Sequence, residues 1–198
     1  MSGVRTALWC IALALLAACG STPPTTYYVL SAELPAAPAA ERPRVGIVAL
    51  DVAEYLLAAQ VSGMDGANRV RRAEFARWAE PLDAGIARVL ALDLGQRLGT
   101  QGVRLGPWPR EWVPDQELRV RIQRLDAGAN EARLVAAWSL QDGAHAHPAR
   151  DRLTQLTRAR SATDAAATAA DFSALLADLA GVIAGDITHG GDAAATPE

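Results

Sequence analysis

Two stretches of this chain repeat apolar residues at three- and four-residue steps, and that helical period, set among alternating stretches, most constrains the fold. The first stripe is Leu82, Ile86, Val89, Leu90, Leu94 and Leu98, with Pro81 suited to a first helical position and Gly99 to a stop. The second fits residues 163–186, where Phe172, Leu175, Leu176, Leu179, Val182 and Ile183 align. A helix with one apolar face must bury it against another layer, and the rest of the chain supplies strands. Residues 27–30 and 44–50 are short β-branched or aromatic runs; residues 60–63 and 69–75 flank Asp65 and Gly66, a pair that favours a hairpin reversal. Residues 103–105 run into a bend at Pro107, Trp108 and Pro109. Leu118, Val120 and Ile122 alternate with Arg119, Arg121 and Gln123, and Leu134, Ala136, Trp138 and Leu140 repeat the two-residue period of a sheet with one wet face. Residues 126–130 join these two strands, and residues 150–158 form another. The order strands, helix, strands, helix predicts an α+β single domain: a mostly antiparallel sheet with two amphipathic helices packed on one face.

Ahead of this body stands one positive charge, Arg5, then an apolar core over residues 7–16, then Ala17, Ala18 and Cys19. That order is a secretory signal's, and the core is too short for a membrane span, which needs about 20 apolar residues. Leu16, Ala17, Ala18 and Cys19 resemble the lipobox of bacterial lipoproteins, in which the cysteine takes a diacylglycerol and an N-acyl chain; an ordinary signal peptidase site is the alternative. Cleavage before Cys19 divides the chain into a signal (1–18), a lipidated tether (19–26), a body (27–189) and a Gly- and Ala-rich tail (190–198) expected to be disordered. Cys10 leaves with the signal, so no disulfide can form and the body rests on its core alone, which 180 residues allow. Each buried acyl methylene contributes about 0.8 kcal/mol, so two or three chains anchor the protein permanently. Pro23 and Pro24 keep the tether extended, and residues 20–26 reach about 25 Å. An Asp after the lipidated cysteine marks inner-membrane retention in such lipoproteins; Gly20 and Ser21 here resemble outer-membrane sorting.

All 19 basic residues are Arg, and without the signal 18 of them face 22 acidic residues, a net charge of −4. A mildly acidic chain with no basic block argues against nucleic-acid binding. His145 and His147 flank Ala146 as a metal pair would in an extended segment, but no third ligand is placed near them and Gly143 and Pro148 favour a surface turn; no metal or cofactor is expected beyond the lipid on Cys19. His189 sits at the edge of the tail. Glu80 and Asp83 read either as a carboxylate pair or, preferably, as charges at a helix start. There is no Gly-x-Ser-x-Gly elbow, phosphate loop or dinucleotide fingerprint, so an enzyme is not expected.

The remaining candidates are contact residues. Residues 72–82 crowd Phe75 and Trp78 with both charge signs, and Trp and Arg dominate interface hot spots. Phe75, Arg77, Trp78 and Glu80 are therefore candidate partner-binding residues, joined by Tyr55 in an exposed-looking 54–57 segment and Trp108 in the proline bend. For Trp78 a core role stands equally open; Trp108 and Trp112 divide the same way, and Trp138 reads as core.

The run Ala73, Glu74, Phe75, Ala76, Arg77, Trp78, Ala79, Glu80, Pro81, Leu82, with Ile86, Ala87, Arg88, Val89 and Leu90, resembles the signature of the ABC-type transport auxiliary lipoproteins of the paraquat-inducible protein C type. Tyr27 to Leu30, Pro107 with Trp108, and the closing stripe from Phe172 to Ile183 extend the likeness over nearly the whole mature chain. Leu125, where an aromatic is expected, and residues 143–150 depart from it. The resemblance implies a periplasm-facing outer-membrane lipoprotein that works with an MCE-domain protein, a permease and an ATPase in lipid traffic between membranes. It also implies a homo-oligomeric ring to match an MCE ring, with the Phe75 to Leu82 junction as one contact. An assembly or pilot lipoprotein for another envelope complex, or an anchored hydrolase, are the other classes.

Overall fold

The computed structural model describes residues 23–33, 40–66 and 68–192; the signal with Cys10, Cys19 and residues 193–198 of the expected tail lie outside them. The strands are β1 (Thr26–Tyr28), β2 (Val45–Val52), β3 (Gln60–Asp65), β4 (Arg69–Trp78), β5 (Val103–Leu105), β6 (Gln116–Ala127), β7 (Glu131–Asp142) and β8 (Arg150–Ala159). The helices are α1 (Leu82–Leu98) and α2 (Ala165–Asp192). This is the expected α+β domain, but its strands form two sheets: a five-stranded one ordered β5-β2-β6-β7-β8 and a three-stranded one ordered β1-β4-β3. The expectation of one sheet fails at residues 53–57. There Ala53 donates to the Ile122 carbonyl at 2.9 Å, a 3₁₀ turn (Glu54–Leu56) buries Leu56, and the chain leaves the first sheet before β3 begins. The long β6, β7 and β8 are antiparallel, whereas β2 lies parallel between β5 and β6, and β1 lies parallel to β4.

The alternation in β6 and β7 does what its period demands. Leu118, Val120 and Ile122 face Leu140, Trp138 and Ala136 across the ladder on one buried side. A bulge between Ile122 and Arg124 changes the phase, so Leu125 and Ala127 also point inward. Over them lie Ile86, Val89, Leu90 and Leu94 of α1 and Phe172, Leu175, Leu176, Leu179 and Ile183 of α2, all buried. Each fully buried side chain of this kind stabilises by about 1.5–3 kcal/mol.

Helix α1 stops where expected. Gly99 adopts φ 66°, a left-handed conformation that L side chains resist, and the Thr100 amide donates to the Gly95 carbonyl at 2.9 Å. Its start differs slightly, with Pro81 at the N-cap and Asp83 in the first turn. Helix α2 opens under Asp164, which accepts the Ala167 amide at 2.8 Å, and it runs on to Asp192, into the region read as tail. Burial of Ile187 and the bond from the Thr188 hydroxyl to the Ala184 carbonyl keep those last turns helical. By length and composition alone α2 could cross a membrane, yet half of its apolar window is buried in the body.

Strand β8 shows a weak apolar pattern because arginines occupy positions on the face that meets α2, where they stay partly open to solvent. Arg158 meets Asp178 at 2.8 Å, Arg152 meets Asp186 at 3.2 Å, and just past the strand Arg160 meets Asp171 at 2.7 Å. The three aspartates recur at seven- and eight-residue intervals, one face of α2. Arg160, its side chain only 1% exposed, also donates to the Gly128 carbonyl and the Thr168 hydroxyl, tying the β6–β7 turn to the start of α2.

Candidate docking surface

The junction around Trp78 is interior. Pairing of β4 with β1 on one side and the bond from the Trp78 amide to the Ala59 carbonyl at 2.8 Å on the other turn the indole inward. It is 7% exposed and stacks on Phe172, ring centroids 6.1 Å apart. Trp78 is thus a core residue, which corrects its place among the contact candidates; Phe75 and Arg77 are half-buried.

Glu80 folds over the first turns of α1 and takes the Arg88 guanidinium at 2.5 Å, while Arg88 also donates to the Leu30 carbonyl at 3.0 Å. A side chain at Gly85 would come within 3.1 Å of the same carboxylate, so the glycine leaves room for this clip. The hydrogen bond that Arg88 donates to Glu80 raises the Arg88 pKa above its ordinary value. Glu80 therefore joins the β1 exit to α1, and besides standing at the helix start as expected it makes an ion pair that the sequence did not indicate.

Tyr55 is not on an exposed loop. Its hydroxyl accepts the Leu125 amide at 3.3 Å beside the β6 bulge, burial raises its pKa, and Leu56 next to it is 2% exposed. Only Glu54 and Leu57 of that segment are open to solvent.

Trp108 has the surface position. Its ring lies across Gly46, where a Cβ would come within 2.5 Å of it, and meets Trp112 edge-on at 5.3 Å; the Arg104 guanidinium sits 4.9 Å above Trp112. Beside it opens a groove of about 400 Å³ between α1 and β5, lined by Ala91, Leu92, Leu105, Pro107, Trp108 and Pro109. Leu92 and Leu105 are 41% and 42% exposed. These two and Arg104 were not singled out from the sequence. The legible hint was Gly46 inside a strand of Val and Ile, a sign of close approach by another group.

The groove has a defined place along the sheet. Gly46 lies where β2 and β6 begin, whereas the far end of β6 is met by the β3–β4 hairpin, a Cβ on Gly63 lying 2.8 Å from the Ala127 carbonyl oxygen. Thr26 faces Ala76 in the parallel β1–β4 pair, so the chain upstream of Thr26 leaves toward the hairpin end. The groove and residues 23–25, which lead into β1, are at opposite ends.

His145 and His147 lie in the expected turn. Asp142 accepts the amides of Ala146 and His147 at 3.0 and 2.9 Å, which holds its carboxyl below the ordinary range. The His147 ring stands 3.3 Å from Asp142 and the His145 ring 3.7 Å from Glu117, so the two imidazoles address different carboxylates. Among the described residues no three His, Cys, Asp or Glu side chains are grouped to hold a metal ion.

The fold recurs in solved structures. One uncharacterized protein aligns with TM-score 0.67 at 18% identity, over 83% of this chain and 99% of its own. A protein from Xanthomonas campestris aligns with TM-score 0.65 at 16% identity, over 86% and 100%. At such identities the likeness concerns the fold alone. No curated protein matches the chain by sequence. The class is an α+β envelope lipoprotein body, and residues 28–184 match the family described as "ABC-type transport auxiliary lipoprotein component". The chain belongs to that family.

Proposed function

We propose that this lipoprotein, acylated on Cys19 after removal of residues 1–18, sits on the periplasmic side of the outer membrane and docks the MCE-domain assembly of an ABC-type intermembrane lipid transport system. The observation that carries this reading is the family match running through the body from the first strand into the closing helix. Geometry supports it. A body tethered within about 25 Å of a bilayer cannot cross the periplasm, so its partner must come to it. The apolar Trp108 groove, turned away from the tether, is presented to that partner. In this reading the protein binds rather than catalyses, needs no cofactor besides its lipid, and assembles as a ring against an MCE ring.

Native pull-down of the lipidated protein tests the reading. Recovery of an MCE-domain protein, lost with Trp108→Ala, is the expected result; repeated recovery of a secretin or a β-barrel instead makes this an assembly lipoprotein of another machine. Cys19→Ser should release a folded body from the outer-membrane fraction.

A further inference from the structure

The tether and the β3–β4 hairpin leave the body side by side. Because Thr26 stands opposite Ala76 in a parallel pair, the tether departs along the direction in which β4 runs back to Arg69. Seven residue steps from Ala76 to Arg69 span at most about 23 Å in strand geometry, and less because β4 bulges against β3 between Arg72 and Arg77. Seven steps from Thr26 to Cys19 span about 25 Å at full extension. The hairpin tip therefore points the same way as the anchor, and a tether short of full extension brings the tip to the bilayer.

What the tip presents is positive. Residues 65–72 hold three arginines and one aspartate in a chain that is otherwise net acidic. Arg69 pairs with Asp65 at 3.1 Å, while Arg71 and Arg72, held in the ladder with β3 by their backbones, are exposed and their guanidinium groups have no ionic or hydrogen-bonded partner among the described residues. Both line an open cleft of about 310 Å³ between the hairpin and the start of α2. Two guanidinium groups free to pair, on the side of the body that a lipid holds at a membrane, suit the phosphate oxygens of lipid headgroups, which arginine binds in bidentate fashion. Anionic headgroups attract such residues within a Debye length.

We infer that the β3–β4 hairpin is a second membrane contact, with Arg71 and Arg72 on lipid phosphates. It stands the body upright with the Trp108 groove facing away from the bilayer. This rests on acylation of Cys19. The anchor fixes distance, and the hairpin fixes orientation.

The test uses the full lipidated chain in vesicles of phosphatidylcholine with one quarter phosphatidylglycerol. With Cys19 acylated and Cys10 removed, Asn68→Cys supplies one thiol at the tip for a dye, and Ala144→Cys supplies one at the opposite end; the acceptor is a headgroup-labelled lipid. Energy transfer from the tip is expected to be at least twofold greater than from the opposite end, and to fall at least twofold in the Arg71→Glu, Arg72→Glu double variant or in 0.5 M salt. Equal transfer from both ends, or no change on charge reversal with circular dichroism unaltered, overturns the inference. Failure to float with vesicles, together with a mass lacking acyl chains, overturns the anchor itself and so is distinguishable from failure of the hairpin contact.

Discussion

Trp78 closes strand β4 and Trp108 follows strand β5, both near prolines, yet one is interior and the other forms a surface platform. Strand β4 has β1 on one side and β3 on the other, so its last side chain turns into the space under α2 and finds Phe172. Strand β5 is three residues long and lies at the edge of its sheet, so the chain beyond it folds back over Gly46 with no further strand to cover it. A tryptophan's neighbours in the sheet decide whether its large apolar area stabilises the fold or is left for a partner.

The sharpest way to break this contrast is to truncate each ring. Trp78→Ala should destabilise by about 3–5 kcal/mol, as emptied aromatic core sites do, seen as a lower urea midpoint. A midpoint close to the unmodified protein's would mean that the Trp78 and Phe172 stack is dispensable. A second interior probe is Arg160→Met, which leaves Asp171 and the Gly128 carbonyl without their buried donor; a loss of about 3 kcal/mol is expected. Trp108→Ala should cost only about 1–2 kcal/mol, because the ring is half-buried, while partner recovery falls at least tenfold. Equal stability losses for the two tryptophans would erase the distinction.

These sites also show how far local sequence carries. The stripe from Leu82 to Leu98 with its Gly99 stop, and the alternation of β6 and β7, were readable because helix and strand periods are local. The parallel insertion of β2 between β5 and β6 was not, since it pairs residues about 60–70 positions apart and leaves no periodic trace. Nor was Arg160: an arginine after a strand reads as solvated until Gly128 of the β6–β7 turn and Thr168 and Asp171 of α2 are brought around it. The contact candidates divide on the same principle. Proline flanks locate a bend, but exposure depends on what the other sheet covers.

Glu80 tests the boundary between the two regions, for it lies just after Trp78 and holds Arg88 on the helix that also walls the groove. Its ion pair with Arg88 is partly exposed, so Glu80→Gln should lower stability by less than about 1 kcal/mol and leave partner recovery unchanged. Weaker recovery would mean that the groove depends on the clip.

The smallest effect belongs to Asp93, the buried carboxyl of α1 that lies past the groove residues Ala91 and Leu92. One oxygen accepts the Glu33 amide at 2.9 Å; the other has no hydrogen-bond partner among the described residues. Burial raises its pKa above the ordinary aspartate value, so the folded state binds this proton more tightly than the unfolded chain does. Its contribution to stability therefore falls as pH rises from the unfolded value, about 3.9, through the raised folded value, and stays as a constant penalty above that window. Asp93→Asn removes the penalty while keeping an acceptor for the Glu33 amide. Urea midpoints of the variant and the unmodified protein should coincide below the window and separate in favour of the variant at pH 7. The shift should be smaller than for Glu80→Gln and should leave both tryptophan sites untouched. A variant less stable at pH 7 would show instead that the ionised carboxylate is satisfied, and that the interior of α1 tolerates charge as its groove face tolerates exposed leucine.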